Sequence, residues 1–592
     1  MAGVQSMASK SILPVTTGEY HTICSIPVST VHNLKPGLNF ITVNVAIDQR
    51  DTSKVVRLLV YRNDDQSLTV CRNLCRHNGG TFIHDIEDSA EIVKCTFHGW
   101  KLNTKTLNYT NPPDCLKQEQ LKIEIQMDGS LTIFEPLRYE PWAVNEQQMQ
   151  SLKSNELTIT YISHACVEIQ AAGMTLITDP WLTGPSFGRG WWLLHEPEAD
   201  AYERVANANA IYISHGHPDH FNLPTLRRIA KMNPHVPIYV PRLKVNVFSN
   251  DLERLGFTNI QITQLGTWQT LSKNNESCAR FMILPDHLFP HLDTFLLFEY
   301  KGHRILNLVD CCNPNGDHLP SPVDVLLTDF ASGASGFPSC FVDQFGEDKV
   351  LEMAKTKAHT FLKKTTKHIQ ITKTPMWIPF AGYFMEAGPG DEQIQQLNWK
   401  NTPESAAITL QARIPHLQVW CPFPGGKYDV GSNTASTPSK TKVDYLKRSW
   451  NFEPYIRQLD ESMKFKPLQT MDGVKEYFRW AEFKNYDLVL HIIETSNNYS
   501  TTIREYFVDF AGSAPVFPSY YPPGRPLFRI RGRSSVFRDT FIRGWSWDNI
   551  YIGFSGHFFA EPNTYHFKFW DHFNNSLPEY PPSWKGDHHQ AC

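Results

Sequence analysis

The chain has 592 residues, too many for one hydrophobic core, so roughly two to four domains are expected. Its net charge is −4 and it has no long basic run, which argues against a nucleic-acid partner held by phosphate neutralisation. No stretch approaches the ~20 apolar residues of a membrane span, and residues 1–15 lack the apolar centre of a signal peptide, so a cytoplasmic protein is expected.

In chain order, "NFITVNVAI", "VVRLLVYR" and "LTVCRN" read as short strands. "LKIEIQMDGSLTIFE" reads as a hairpin with Asp128-Gly129 at its turn. The first domain, residues 12–137, is therefore expected to be small and all-β, with a polar, proline-flanked linker over 138–156. From 157 to 430 apolar strands such as "LTITYIS" and "VDVLLTDF" alternate with helical patterns such as "LPTLRRIAKM", which is an α/β signature. The small-polar run "GSNTASTPSKTK" marks a boundary. Residues 443–592 are expected to form an aromatic-rich α+β region, with strand-like "YDLVLHIIET" and "NIYIGF" but no chemical motif of its own.

The twelve cysteines are scattered, and the clustered ones stand beside histidines, which in a cytosolic chain favours metal ligation over disulfides. In "NLCRHNGGTFIHDIEDSAEIVKCTFHGWKL" a Cys-x-His pair, Cys75 and His77, precedes a Cys-x-x-His pair, Cys95 and His98. Structural zinc sites use other spacings. Two cysteines for one iron and two histidines for the other is the pattern of a Rieske cluster. Gly79, Gly80 and Gly99 let the loop backbones approach the cluster and donate N–H bonds to its sulfurs. Residues 39–135 thus resemble a Rieske 2Fe–2S domain. Respiratory electron carriers of this kind bear an extra cysteine in each loop; here Gly80 and Trp100 stand nearby instead. The resemblance implies the oxygenase type, with a potential toward the low end of the Rieske range.

A second constellation follows the apolar strand in "IYISHGHPDHFN": His215, His217, Asp219 and His220. Four ligand-type side chains in six positions cannot share a helix face, but at a strand end they can converge on one or two metal ions. The run resembles the signature of the metallo-β-lactamase fold, which implies an αββα sandwich. His164 and Asp179 lie in the opening strand pair of that fold, and Asp310 in "ILNLVDCC" falls where it places a bridging carboxylate. His287 and His291 in "LPDHLFPHLD" both stand near the place of a further ligand.

Across nearly the whole chain, "CRNLCRHNGG", "VKCTFHGWKL", "DPWLTGPSFGRGWWLLHEP", "IYISHGHPDH", "FEYKGHRIL", "TDFASGASGFP" and "PFAGYF" resemble the CMP-N-acetylneuraminate hydroxylase family. The resemblance implies an iron-dependent monooxygenase. It would hydroxylate the N-acetyl methyl group of CMP-N-acetylneuraminate with dioxygen and electrons passed through the Rieske cluster. Absence of a nicotinamide or flavin fingerprint implies a separate reductant, which for the family is cytochrome b5 and its NADH-dependent reductase. His215, His217, Asp219, His220 and Asp310, with His287 or His291, would hold non-haem iron, though the set would also take zinc. His164 and Asp179 would support them from behind. For the nucleotide-sugar, Arg189 is a candidate for phosphate or carboxylate, and Trp191 and Trp192 for stacking on cytosine. Ser335 and Gly336, in the small-residue stretch 331–338, could form an anion nest. The chain departs from the family pattern near Phe289, where a histidine is displaced to 287 or 291, and at Gly388, where a final histidine is expected. Two other readings stand beside this one: a zinc phosphodiesterase or lactonase, and a non-catalytic Rieske electron-transfer protein.

Overall fold

Runs of β-branched and aromatic residues build the first of two units, Met1–Tyr139, and alternating strands and helices build the second, Glu140–Cys592. The computed structural model describes residues 20–46, 53–77, 79–85, 88–96, 99–136, 149–243, 247–273, 276–288, 292–388, 390–436, 457 and 470–578.

In the first unit Gly37–Ala46, Ser53–Arg62 and Leu68–Arg72 form one antiparallel sheet, and Tyr20–Ile26, Leu131–Pro136 and Lys122–Ile125 form another. Ile26, Val56, Leu58, Val60, Leu131 and Ile133 close the core between them. The Asp128-Gly129 turn is present: Gly129 takes φ +83° and the Asp128 carboxylate accepts the Ser130 N–H at 2.9 Å. A five-stranded meander from Phe82–His84 to Pro113–Lys117 carries the two cysteine loops. One loop precedes its first strand; the other joins Ile92–Cys95 to Lys101–Asn103. Residues 12–19 of the expected first domain and 138–148 of the expected linker lie outside the described residues.

The second unit contains two mixed sheets. The first runs Ile260–Thr263, Ile238–Pro241, Ala210–Tyr212, Met174–Thr178, Cys166–Ala171, Leu157–Ser163, Lys427–Asp429, Thr434–Ser436. The second runs Trp268–Lys273, Glu276–Pro285, Thr294–Tyr300, His303–Asn307, Val325–Asp329, Met376–Phe380, Gln418–Val419. They meet face to face, with Tyr212 Oη 2.9 Å from Thr294 Oγ1 and the Tyr239 and Phe281 rings 5.0 Å apart. Leu157–Ser163 and Thr294–Tyr300 are buried at every residue, as strands covered on both faces must be. Ala201–Ala206, Leu223–Met232 and Val247–Leu255 cover the first sheet, seating Leu226, Ile229 and Leu252 against Ile211, Ile238 and Val240. The long helix Glu347–Thr372 lies against the second, burying Val350, Ala354, Ala358 and Leu362. Helix, sheet, sheet, helix is the layering of an αββα sandwich.

The C-terminal region adds a four-stranded sheet, in the order Thr502–Asp509, Val489–Thr495, Leu527–Arg533, Gly556–Glu561, and the helices Met471–Ala481, Ser534–Arg543 and Phe567–Asn575. It shares its core with the sandwich: Phe478, Trp547, Phe558 and Phe573 belong to one cluster with Trp181, Phe187, Trp191 and Phe384. Removing the Phe478 ring from this cluster is expected to cost about 3–5 kcal/mol. Urea unfolding of Phe478→Ala, followed by tryptophan fluorescence, reads the loss; a change under 1 kcal/mol, roughly what a surface substitution gives, would contradict the shared core.

Candidate metal centres

The two cysteine loops are built alike. In the first, the Cys75 N–H donates to Gly80 O at 2.7 Å and the Gly79 N–H to Cys75 O at 2.8 Å. In the second, the Cys95 N–H donates to Trp100 O at 2.7 Å and the Gly99 N–H to Cys95 O at 3.0 Å. Gly79 and Gly99 both take φ +71°, a conformation that a side chain would strain. The same turn, made twice, presents two buried thiols that interact with each other. Burial and the neighbouring Cys95 push the Cys75 thiol far above its ordinary value, so the metal-free pocket holds it protonated and iron would displace that proton. The Tyr109 hydroxyl donates to Cys75 Sγ at 3.3 Å, and the His77 ring stacks on Trp100 at 3.8 Å between centroids. His98 lies outside the described residues. Donor types and loop geometry fit a 2Fe–2S cluster.

The second centre grows from strand ends of the sandwich. Met174–Thr178 ends at Asp179, whose fully buried carboxylate accepts the Ser214 N–H at 2.7 Å and the Ser214 hydroxyl at 2.8 Å. It also pairs with His220 Nδ1 at 3.0 Å. The motif loop is pinned at its far end by Asn222, the N-cap of Leu223–Met232, which accepts the Thr225 N–H at 3.0 Å. The Asn222 side chain also donates to Pro218 O at 3.0 Å. His164, Asp179 and Val309 take φ values of +36°, +35° and +49°, a region that non-glycine residues rarely occupy. Each stands where a strand turns into the centre, and such strain, about 1–3 kcal/mol per residue, collects at sites that need a fixed geometry.

Two three-donor sets result, and they share His220. The inner one is His164, Asp219 and His220: His164 Nε2 and His220 Nε2 lie 3.2 and 3.3 Å from Asp219 Oδ2. The outer one is His215, His220 and Asp310, with Asp310 Oδ2 3.4 Å from His220 Nε2 and 4.0 Å from His215 Nε2. His217 joins neither set but stands at the outer edge, its Nδ1 2.9 Å from His215 Nε2. Exposure grades outward: the side chains of His164 and His220 are 0% exposed, those of Asp310 and His217 25% and 36%. His220 Nε2, Asp219 Oδ1 and Asp310 Oδ1 are buried without a hydrogen-bond partner. Buried donor atoms left bare and converging are what a bound cation would satisfy, so this set fits a metal ion too.

The protonation states agree. Burial, with His220 and His217 nearby, holds the His215 imidazole well below its ordinary pKa, hence neutral and ready to ligate. Burial would raise Asp219, but the His220 and His164 imidazoles outweigh it and keep the carboxylate ionised. Burial would lower His220, yet Asp219 and Asp310 outweigh that and hold it well above the histidine range.

The structure thus gathers His215, Asp219, His220 and Asp310, with His217 beside them. It brings in His164 as a donor, where sequence reasoning had it only as support. His287 lies apart from both sets, its backbone N–H donating to Asn313 O at 2.9 Å; His291 lies outside the described residues. A side chain at Gly388 would meet Asp391 Oδ2 at 2.8 Å, so no histidine fits there without a shift. Arg189, Trp191 and Trp192 are all buried. Trp191 stacks on Phe384 at 3.6 Å and donates to Ile552 O at 2.9 Å, and Trp192 donates to Arg189 O at 2.9 Å. Both indoles are seated in the packing and neither offers an open face. Ser335 accepts from Lys357 Nζ at 2.8 Å, and Gly336 packs so closely on Tyr551 that an added Cβ would meet its carbonyl oxygen at 2.5 Å. Asp548, 3.8 Å from His217, escaped sequence reasoning, for no ligand spacing surrounds it.

The chain matches the Rieske [2Fe-2S] domain over residues 25–121 and the Beta-lactamase superfamily domain over residues 158–330. It is 38% identical over 591 residues to the cytidine monophosphate-N-acetylneuraminic acid hydroxylase of Asterias rubens, covering 96% of this chain and 88% of that one. To the protein of the same name from Danio rerio it is 38% identical over 582 residues, covering 95% of each. The solved structure of CmlA, a diiron β-hydroxylase from Streptomyces venezuelae, is 16% identical with a TM-score of 0.30 over 50% of this chain and 55% of that one, too loose a likeness to bear on the argument.

Because Asp219 and Asp310 hold the His220 proton well above the histidine range, an entering ion must displace it. Affinity for Co2+ is therefore expected to fall as pH falls, by up to about tenfold per pH unit below the His220 pKa. Competition titrations across a pH series measure the slope, and a flat profile would remove His220 from the ligand set.

Proposed function

The chain belongs to the cytidine monophosphate-N-acetylneuraminic acid hydroxylase family, and from that membership we infer that it is an iron-dependent monooxygenase converting CMP-N-acetylneuraminate to CMP-N-glycolylneuraminate. One oxygen atom of dioxygen enters the N-acetyl methyl group, and the other leaves as water with two electrons and two protons. The observation that supports this best is the pairing within one chain of a 2Fe–2S domain with a buried imidazole–carboxylate centre. Hydrolysis needs no electrons; breaking an unactivated C–H bond with dioxygen does.

Iron bound at the second centre would supply dioxygen activation. His215, His220 and Asp310 would hold it at the outer position, with His217 at the rim, and His164 and Asp219 would join His220 at the inner one. The half-exposed rim at His217 and Asp310 is where the methyl group can approach, since the inner donors are closed off. Trp181, Trp191 and Phe384 surround His164 and keep water from that floor. Ser335 and Gly336 would form the anion-binding side for the nucleotide-sugar, beside Lys357, which donates to Ser335 Oγ at 2.8 Å and to Phe337 O at 2.9 Å. Arg189, Trp191 and Trp192 would act on the substrate only through the wall they stiffen.

Electrons would come from cytochrome b5 and its NADH-dependent reductase, which suits a cytoplasmic protein. No helix among the described residues is long and apolar enough to cross a membrane.

The test is to purify the protein anaerobically, supply CMP-N-acetylneuraminate, a reducing system and 18O-labelled dioxygen, and weigh the product. One labelled oxygen in the glycolyl group is expected. Cys95→Ser is expected to abolish both the product and the Rieske paramagnetic signal while leaving the second centre's metal in place. Turnover that survives this variant, or a hydrolysed product, would overturn the reading.

A further inference from the structure

Three imidazoles of the second centre, those of His215, His217 and His220, each have a nitrogen to offer and a nitrogen that faces a partner. A neutral imidazole carries one N–H and one lone pair, so an acceptor at one nitrogen selects the tautomer that ligates through the other. For His220 that acceptor is Asp179, at Nδ1, 3.0 Å away. For His215 it is the Ser214 hydroxyl, at Nδ1, 2.9 Å away; this hydroxyl gives its own proton to Asp179. Both leave Nε2 facing the donor set. His217 is turned round: its Nδ1 faces His215, and its Nε2 ends 3.8 Å from Asp548 Oδ2.

Asp548 comes from the C-terminal region, and it is held to this task. The Ser546 hydroxyl donates to its Oδ2 at 2.9 Å, and the Asn574 amide to its Oδ1 at 2.9 Å. Its chain segment is brought in by facing glycines. A Cβ on Gly190 would sit 1.9 Å from Gly553 O, and one on Gly553 would sit 2.5 Å from Phe187 O, so the two backbones touch where neither can bear a side chain. The Trp191 indole N–H fastens the same turn at Ile552 O, and the Phe187 ring lies 5.6 Å from the His217 ring on another side.

We propose that Asp548 is a positioning residue for the metal centre, the carboxylate that keeps the proton on His217 Nε2 and turns Nδ1 toward the outer ion, so that the C-terminal region completes a site begun in the sandwich. The present 3.8 Å is an ion-pair distance; a closure of about 1 Å makes it a charge-assisted hydrogen bond. The inference rests on the reading of this centre as metal-holding.

The experiment uses the full-length protein with its Rieske cluster as internal reference. Co2+ affinity, bound stoichiometry and visible absorption of the second centre are measured for wild type, Asp548→Asn and Asn574→Ala, with thermal unfolding as the control for folding. Asp548→Asn is expected to weaken Co2+ binding by about 10- to 100-fold and to alter the cobalt spectrum, with the Rieske signal unchanged. Asn574→Ala leaves the carboxylate held by Ser546 alone, and is expected to shift affinity the same way by less. Wild-type affinity and spectrum in a folded Asp548→Asn protein would overturn the proposal. If that variant does not fold, unchanged affinity and spectrum in Asn574→Ala would overturn it instead. A wild-type second centre that binds no Co2+ and is isolated with no iron would overturn the metal reading itself, and the proposal with it.

Discussion

The second centre hangs on one buried carboxylate. Asp179 sits at a strand end with φ +35°, fully buried, and takes the Ser214 N–H, the Ser214 hydroxyl and His220 Nδ1. A buried carboxylate is tolerated only when its lone pairs are taken, so these partners cannot be given up one at a time. The result is a rigid join between the strand Met174–Thr178 and the motif loop. Since His220 serves both donor sets, the orientation that Asp179 imposes on it is felt at both metal positions.

The Rieske loops meet a different constraint. Each iron would take one ligand from each loop, and the chain makes one turn twice, with cysteine, glycine and backbone bonds in the same order. The loops differ in what surrounds them. A tyrosine hydroxyl bonds to one cysteine sulfur, and Trp100 covers His77. Hydrogen bonds to cluster sulfurs raise the reduction potential, so Tyr109 pulls against the low value that an oxygenase-type loop implies.

Local spacing made most of this legible. The cysteine–histidine pairs, the Asp128-Gly129 turn, the alternating strands and the run from His215 to His220 are all read within a few residues. Hidden were the contacts that only folding makes. His164 stands one residue beyond a strand, far along the chain from Asp219, and only sheet pairing brings the two together. Trp191 and Trp192 are aromatic residues beside an arginine, a pattern that a ligand wall and a core share; packing against Phe384 and Arg189 O decides for the core. Asp548 has no ligand-type neighbour at any ligand spacing. Gly190 and Gly553 look like loop glycines until their backbones are seen in contact.

The shared core also sets an order of events during synthesis. Trp181, Phe187 and Trp191 cannot be covered until Trp547, Phe558 and Phe573 have been made. At about 5–20 residues per second, that leaves the centre of the second unit waiting on the order of tens of seconds after its first aromatic residues emerge. The first unit has its own core and need not wait. For that interval the nascent chain displays a large aromatic surface that only a downstream segment can close, so chaperone demand is expected to fall on this unit rather than on the iron–sulfur domain.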